Sequence, residues 1–463
     1  MSIVKSGRIF FKNKFDSISN KRVQRNLLNA LPFWGGAFIT GIVSVFYAKA
    51  FLWAEAGTAY IFHWNKWLFF LITPACFLIA RGLIVQFAPY ARGSGIPQVS
   101  AAVELSTPGD NHKTAKLLSL RIIFIKVISS LVMVFGGGAV GREGPTIQIA
   151  GSIFKKINDW LPAWYPKVSK KNMLVTGAAA GLAAAFNTPL GGIVFAIEEL
   201  TKTHFSYFRS ALLTGVIIAG FTALNILGPY LYLGYPKVSA GSAWLFIPVL
   251  LVAILSGILG SLMVKMILYL FRVKKMLHTG LSKISYTLVC GLVMAALAVL
   301  VDFHAFGSGK EIMQNTLFSD NKHVEWYLPA LRFFGPVLSF SSGAAGGIFA
   351  PALSAGASIG ALAAEWFHLN TADANLIILC AMTGFLTTIT RSPFTSSILV
   401  LEMTDANNII FYLMITALAA NIVAGFFDKH SMYEHLKVQY IREINESEKE
   451  GLSAQAIGVQ PAS

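Results

Sequence analysis

The chain has 463 residues, of which 55% are hydrophobic and only 13% charged, whereas soluble domains carry roughly 25% charged residues. That deficit, together with a mean hydropathy of +0.62, excludes an ordinary soluble protein and places the chain in a bilayer. The net charge of +15 could suit a nucleic-acid groove, but the basic residues cluster between apolar segments, as in the cytoplasmic loops of a membrane protein.

The first 25 residues hold Lys5, Arg8, Lys12, Lys14, Lys21, Arg22 and Arg25. Residues 1–30 therefore read as a basic cytoplasmic segment. One transmembrane domain is expected over 31–440, and a charged cytoplasmic tail over 441–463, disordered from Ser453 onward. The apolar run from about 27 to 53 is too long for the core of a signal peptide. Further basic clusters at Lys155, Lys156, Lys167, Lys170 and Lys171, and at Arg272, Lys274, Lys275 and Lys283, mark more cytoplasmic loops.

Spanning helices need about 20 apolar residues. The candidates are 28–54, 67–89, 118–140, 208–234, 241–272, 285–303, 375–402 and 409–427. Other apolar stretches are short and interrupted by Gly and Pro: 93–105, 141–154, 174–199, 327–340 and 344–367. Broken helices at membrane depth are tolerated where they are buried in protein or line a wet cavity. Their number here points to a transport pathway.

Three of the breaks share the form G-x-x-x-P: Gly93 to Pro97, Gly141 to Pro145 and Gly347 to Pro351. The second is followed by Pro189 and Glu198, the third by Pro393 and Glu402, each glutamate nine residues after its proline. The offset between the copies is about 205 residues, which divides the domain into halves at about 31–235 and 236–440. Duplicated membrane halves place their sites at the repeat interface, on discontinuous helices. Glu143 in one half corresponds to Phe349 in the other, so the halves are not functionally equal.

In Gly93-Ser94-Gly95-Ile96-Pro97, two glycines let backbone N–H groups approach a ligand, and proline opens a helix. A helix N-terminus offers free N–H groups and the positive end of the dipole. Ser94 adds a hydroxyl beside the N–H groups of Gly95 and Ile96, giving an anion site without a full positive charge. Such a site can release its ion, and a kink for helix packing is the plainer alternative. In Gly141-Arg142-Glu143-Gly144-Pro145 a carboxylate stands at a helix start of the same kind. It can occupy the anion site itself and leave when protonated, or merely pair with Arg142 at an interface. Glu198 and Glu199 point to different helix faces, so one can cap a helix while the other faces a proton path. Glu402 reads as structural. Gly346-Gly-Ile348-Phe349-Ala-Pro351 repeats the anion-helix logic without charge, and Tyr433 by itself reads as an interfacial tyrosine.

Cys76, Cys290 and Cys380 lie in apolar segments and read as small buried hydrophobes, with neither a disulfide framework nor a metal site. No cofactor is implied. An intramembrane serine hydrolase would need Ser and His in register. The histidines, among them His112, His204, His278, His304, His323 and His430, mostly flank loops. A structural scaffold would not need three anion-type helix starts.

Taken together, GSGIP at Gly93–Pro97, GREGP at Gly141–Pro145, GGIFAP at Gly346–Pro351 and the late Tyr433 resemble the CLC family of chloride channels and transporters. The stretches Gly177–Glu199 and Ile398–Thr404 are similar to that family too, and the likeness runs over about residues 30–440. The resemblance implies an all-α integral membrane protein with many tilted and broken helices in two inverted repeats. It implies a homodimer in a bacterial inner membrane, with cytoplasmic termini and one pore per subunit. Chloride and protons would be the transported ions.

Ser94 and Tyr433 would donate hydroxyls to a central chloride, joined by the N–H groups of Ile348 and Phe349. Glu143 would be the gating glutamate, Glu199 the internal proton-transfer residue, and Lys126 a buried charge near the pore. A carboxylate at position 199 favours proton-coupled exchange over the alternative, a passive gated channel. Ser94 favours chloride, because nitrate-preferring members carry proline there and fluoride exporters lack the serine. Gln98 replaces the family's usual glutamate and reads as a lost surface charge. The stretch from Leu200 to His204 departs from better-known members.

Overall fold

The structure, a computed structural model, describes residues 21–201, 209–228, 231–239, 243–320 and 322–456. Among these, helices account for nearly all regular structure, and pairing between extended segments is limited to two isolated bridges. The expected contributions of Lys5, Arg8, Lys12, Lys14 and His204 lie outside the described residues.

The first half contains α1 (Lys21–Asn65), α2 (Phe69–Phe87), α3 (Ile96–Glu104), α4 (Leu120–Phe135), α5 (Glu143–Trp160), α6 (Lys170–Phe186), α7 (Pro189–Phe195) and α8 (Arg209–Leu227). The second contains α9 (Phe246–Met276), α10 (Gly280–Ala296), α11 (Lys310–Phe318), α12 (Leu328–Ser341), α13 (Phe349–Trp366), α14 (Thr371–Thr390), α15 (Pro393–Thr404), α16 (Ile410–Phe427) and α17 (Met432–Ala456). Among the described residues, seven helical stretches are long and apolar enough to cross a membrane. Large apolar side chains such as Phe46, Trp53, Phe221, Phe411 and Phe426 stand exposed on the outside, as a lipid-facing surface requires.

Two expected spans differ in extent. The span expected at 28–54 is part of α1, whose 45 residues make a helix about 68 Å long at 1.5 Å per residue. That exceeds a hydrocarbon core of about 30 Å, so the helix must tilt or project. The span expected at 375–402 is two helices. Arg391 takes a left-handed conformation (φ 61°) and Pro393 opens α15, so the apolar run hides a turn. The same device ends α6, with Asn187 at φ 58° before Pro189.

The repeat is visible in the caps. Glu198 accepts hydrogen bonds from Phe394 N (3.2 Å) and from the N and Oγ1 of Thr395 (2.7 Å each), at the start of α15. Glu402 accepts from Leu190 N (3.0 Å) and Gly191 N (2.8 Å), at the start of α7. Each half thus lends a carboxylate to the orphan N–H groups of the other half's helix. Chain lengths agree with this pairing, since α5 and α13 both have 18 residues. The topology is that of two inverted structural repeats.

The centre is α13 packed on α14, buried along nearly their whole lengths. Gly356 permits the approach: a Cβ there would lie 2.6 Å from Ala381 O and Met382 Cα. Gly356→Val is therefore expected to destabilise by at least about 1–3 kcal/mol through overpacking, read as a lower thermal midpoint in detergent.

Two further expectations are corrected. The tail expected from residue 441 is the continuation of α17, which runs to Ala456 and so also takes in Ser453. Tyr440 and Ile444 are buried, and Glu443 pairs with Arg92 at 2.6 Å. Apolar residues among those charges give the segment a face to bury. Gln98 is not on the surface but fully buried, its Nε2 donating to Arg92 O (2.6 Å), Tyr90 O (3.2 Å) and Tyr440 Oη (3.1 Å). A carboxylate could not donate any of these bonds without a proton.

Candidate ion-translocation site

The breaks of both halves meet at the molecular centre. Gly141 and Gly347 exchange backbone hydrogen bonds, N to O at 2.8 and 2.7 Å, and Gly93 bridges to the segment 344–346 in the same way. Only glycine fits several of these positions. Gly93 (φ 63°) and Gly95 (φ 109°) lie in the left-handed region, and a side chain on Gly144 would strike the Ser94 hydroxyl. The result is a junction of three helix starts: α3 after Gly95, α5 at Glu143 and α13 at Phe349. The N–H groups of Phe349 and its neighbours fall in a first turn, where intrahelical partners are lacking.

Into this junction point polar atoms that the protein does not satisfy. Ser94 Oγ and Tyr433 Oη are both buried and lack a hydrogen-bond partner. Tyr433 lies 1% exposed, with its ring 6.1 Å from that of Phe349. An unsatisfied buried hydroxyl costs about 1–3 kcal/mol, and two in one place argue for a ligand that accepts hydrogen bonds.

Glu143 is also buried, at 1% exposure. Its Oε1 accepts from the Tyr232 hydroxyl at 3.1 Å, while Oε2 has no partner and packs over Gly141. Arg142, the preceding residue, is buried with one guanidinium nitrogen unpaired. Lys126 is fully buried and donates to Ala91 O (2.9 Å) and Gly93 O (2.6 Å). Its ammonium thus stands behind the Ser94 loop.

Two cavities converge on this region. One, of about 290 Å³, is lined by Glu199, Tyr433, Ser100, Glu104, Lys171 and Lys437. Glu199 accepts from Ser392 Oγ at 3.0 Å there. Glu198, its neighbour, is committed to the cap of α15. The other cavity, of about 220 Å³, reaches Gly93 and Ser94 past Arg92, Lys274, Lys275 and Lys283. Lys274 turns its ammonium to the Ser341 and Ser342 carbonyls. A third cavity, about 190 Å³, lies between α1 and the start of α11, lined by Glu55, His304, Ser308 and Lys310.

Sequence reasoning missed three residues here. Ser308 lies in Gly307-Ser308-Gly309, a second Gly-Ser-Gly, with φ 68° and 81° at its glycines, and Lys310 follows it as the first residue of α11, much as Gly93 and Gly95 precede α3. That tripeptide was a readable signal. Tyr232 carries none, because its role depends on a loop between α8 and α9 folding back over the junction.

The fold defines an integral membrane protein built on discontinuous helices whose starts meet at a buried junction. The chain belongs to the CLC family, since the family model described as "Voltage gated chloride channel" matches residues 75–425. A relative from Cronobacter sakazakii, named "H(+)/Cl(-) exchange transporter ClcA", is 31% identical over 85% of this chain and 86% of its own. One of the same name from Citrobacter koseri is 30% identical over 85% of each. Among solved structures, a slow cyanobacterial Cl-/H+ antiporter covers 90% of this chain and 99% of its own, at 24% identity and a TM-score of 0.77. A CLC-type fluoride/proton antiporter covers 90% and 98%, at 20% identity and a TM-score of 0.74. At these identities the structures speak for the fold.

Proposed function

We propose that this protein is a secondary transporter exchanging chloride for protons across a membrane, working as a homodimer with both termini in the cytoplasm. The carrying observation is the meeting of the α5 and α13 starts, with a buried carboxylate, Glu143, at the same junction as two unsatisfied hydroxyls, Ser94 and Tyr433. The names of the ClcA relatives support the same chemistry.

Chloride sits among the hydroxyls of Ser94 and Tyr433 and the N–H groups of Gly95, Ile96, Ile348 and Phe349. No lysine or arginine needs to touch it, so release stays fast; Lys126 and Arg142 supply a positive field from behind. Glu143 as a carboxylate competes with chloride for the same donors and withdraws when protonated. Chloride reaches Ser94 through the basic cavity, where like-signed side chains raise the local anion concentration. Protons use Glu199 in the separate cavity it shares with Tyr433.

The test is proton uptake by reconstituted vesicles under a chloride gradient. Uphill proton movement is expected. Chloride flux with no proton movement would instead indicate a passive channel of the same family. For selectivity, Ser94→Pro removes a hydroxyl and a backbone donor at once. Nitrate preference over chloride should then rise about tenfold, what one lost hydrogen bond to an ion of roughly 1.5 kcal/mol amounts to. Unchanged anion competition would remove Ser94 from the coordinating set.

A further inference from the structure

Tyr232 is 2% exposed, and a buried phenol needs a partner for its hydroxyl. The partner is Glu143 Oε1, at 3.1 Å. Everything else about the residue fixes its direction. Its ring meets Phe186 edge to face, with centroids 4.9 Å apart, and Phe186 stacks in turn on Phe349 at 6.3 Å. The Lys310 ammonium, which lines the cavity shared with Glu55 and Ser308, lies 4.7 Å from the ring centroid. The next residue, Leu233, donates its N–H to Met403 O at 3.2 Å, so the loop is tied to the end of α15. A ring packed by Phe186 and Lys310 on a tethered backbone presents its hydroxyl at little entropic cost.

We propose that Tyr232 is a positioning residue for the gate: its phenol holds the Glu143 carboxylate in place and sets how readily that carboxylate leaves the anion path. The proposal rests on the reading of Glu143 as the gating glutamate. A hydrogen bond from a neutral donor to a charged acceptor is stronger than one to a neutral carboxyl. The latch therefore favours the charged gate in its seat and loosens on protonation, which matches the cycle the gate must perform. Lys310 pulls the same way, because its charge lies behind the ring. The other charged or titratable groups that act on Glu143 or feel its charge are Arg142, Glu55 and Tyr47 on α1, and Tyr433 on α17. Of the neighbouring phenols it is Tyr232 that donates to Glu143, since Tyr47 Oη is engaged with Ser130 Oγ at 2.7 Å and the Tyr433 ring packs near Phe349.

Tyr232→Phe keeps the ring, its packing and the lysine contact, and deletes one oxygen. In vesicles, chloride flux at neutral pH should rise severalfold. The rise of transport on acidification should move toward alkaline pH by about one unit, the equivalent of about 1.4 kcal/mol. Tyr232→Met, lacking both ring and donor, should shift the profile in the same direction. In a Glu143→Gln background Tyr232→Phe should not move the pH profile, because the amide at position 143 does not titrate. Elution as a single species checks the fold of each variant. A wild-type pH profile in Tyr232→Phe, with Glu143→Gln still uncoupling protons, would overturn the latch and leave the gate intact. Proton pumping that survives in Glu143→Gln would overturn the gate itself.

Discussion

Glu143→Gln is expected to reduce proton transport by reconstituted vesicles to the level of protein-free vesicles while chloride still passes. The amide is nearly the same size as the carboxyl but cannot exchange a proton, and it carries no charge to compete with chloride for the helix N–H groups. The position gives the change its force. Glu143 is buried at the first turn of α5, with one oxygen on Tyr232 and the other over Gly141 without a partner. A carboxylate held so sparingly is a poor structural cap. Wild-type transport should rise as the pH falls, because protonation removes the competitor, and the substitution should flatten that rise. The measurement is flux against pH at two chloride concentrations in both proteins. A pH dependence that persists intact in Glu143→Gln would place the sensor elsewhere, with Glu199 the next candidate.

The second large effect separates two adjacent glutamates. Glu199→Gln should abolish proton movement and keep chloride movement, because Glu199 lines the cavity it shares with Tyr433. Glu198→Gln should leave both ions moving and lower stability instead. Its carboxylate holds the N–H groups of Phe394 and Thr395, and weakening a helix cap typically costs about 1 kcal/mol. Paired flux and thermal-denaturation measurements on the two variants decide this. A swapped outcome, with proton movement lost in Glu198→Gln, would assign the transfer role to the wrong member of the pair. Glu402→Gln, the counterpart of Glu198 across the repeat, provides the control for a purely capping role.

Much of the site was legible before any fold. Gly-x-x-x-Pro has few uses inside an apolar chain, so the helix starts at Ile96, Glu143 and Phe349 could be placed from residue chemistry. Spacing alone paired Glu198 with Glu402. Span boundaries were less legible: the span expected at 375–402 runs across Thr390-Arg391-Ser392-Pro393, where the chain turns with Arg391 at φ 61°. Gln98 was misjudged for a related reason. A polar side chain after a helix start looks solvated until the partner surface, here Tyr440 on α17, is known.

The sequence by itself determined that the chain lives in a bilayer, that it is duplicated, that its helices break at glycine and proline, and that it belongs with the CLC proteins. These properties are local or periodic: hydropathy over a span, a left-handed glycine, a repeated spacing. Only the tertiary structure decided which polar groups meet. Ser94 and Tyr433 are 339 residues apart and become two unsatisfied hydroxyls at one junction once α17 packs against α3. Glu198 and Glu199 differ by one step along the chain, yet one caps a helix and the other borders a cavity, because the partner surface is supplied by the opposite repeat. Tyr232 reaches Glu143 only through a loop tied down at Met403. Contacts between distant segments depend on how whole helices pack, and no window along the chain contains that information.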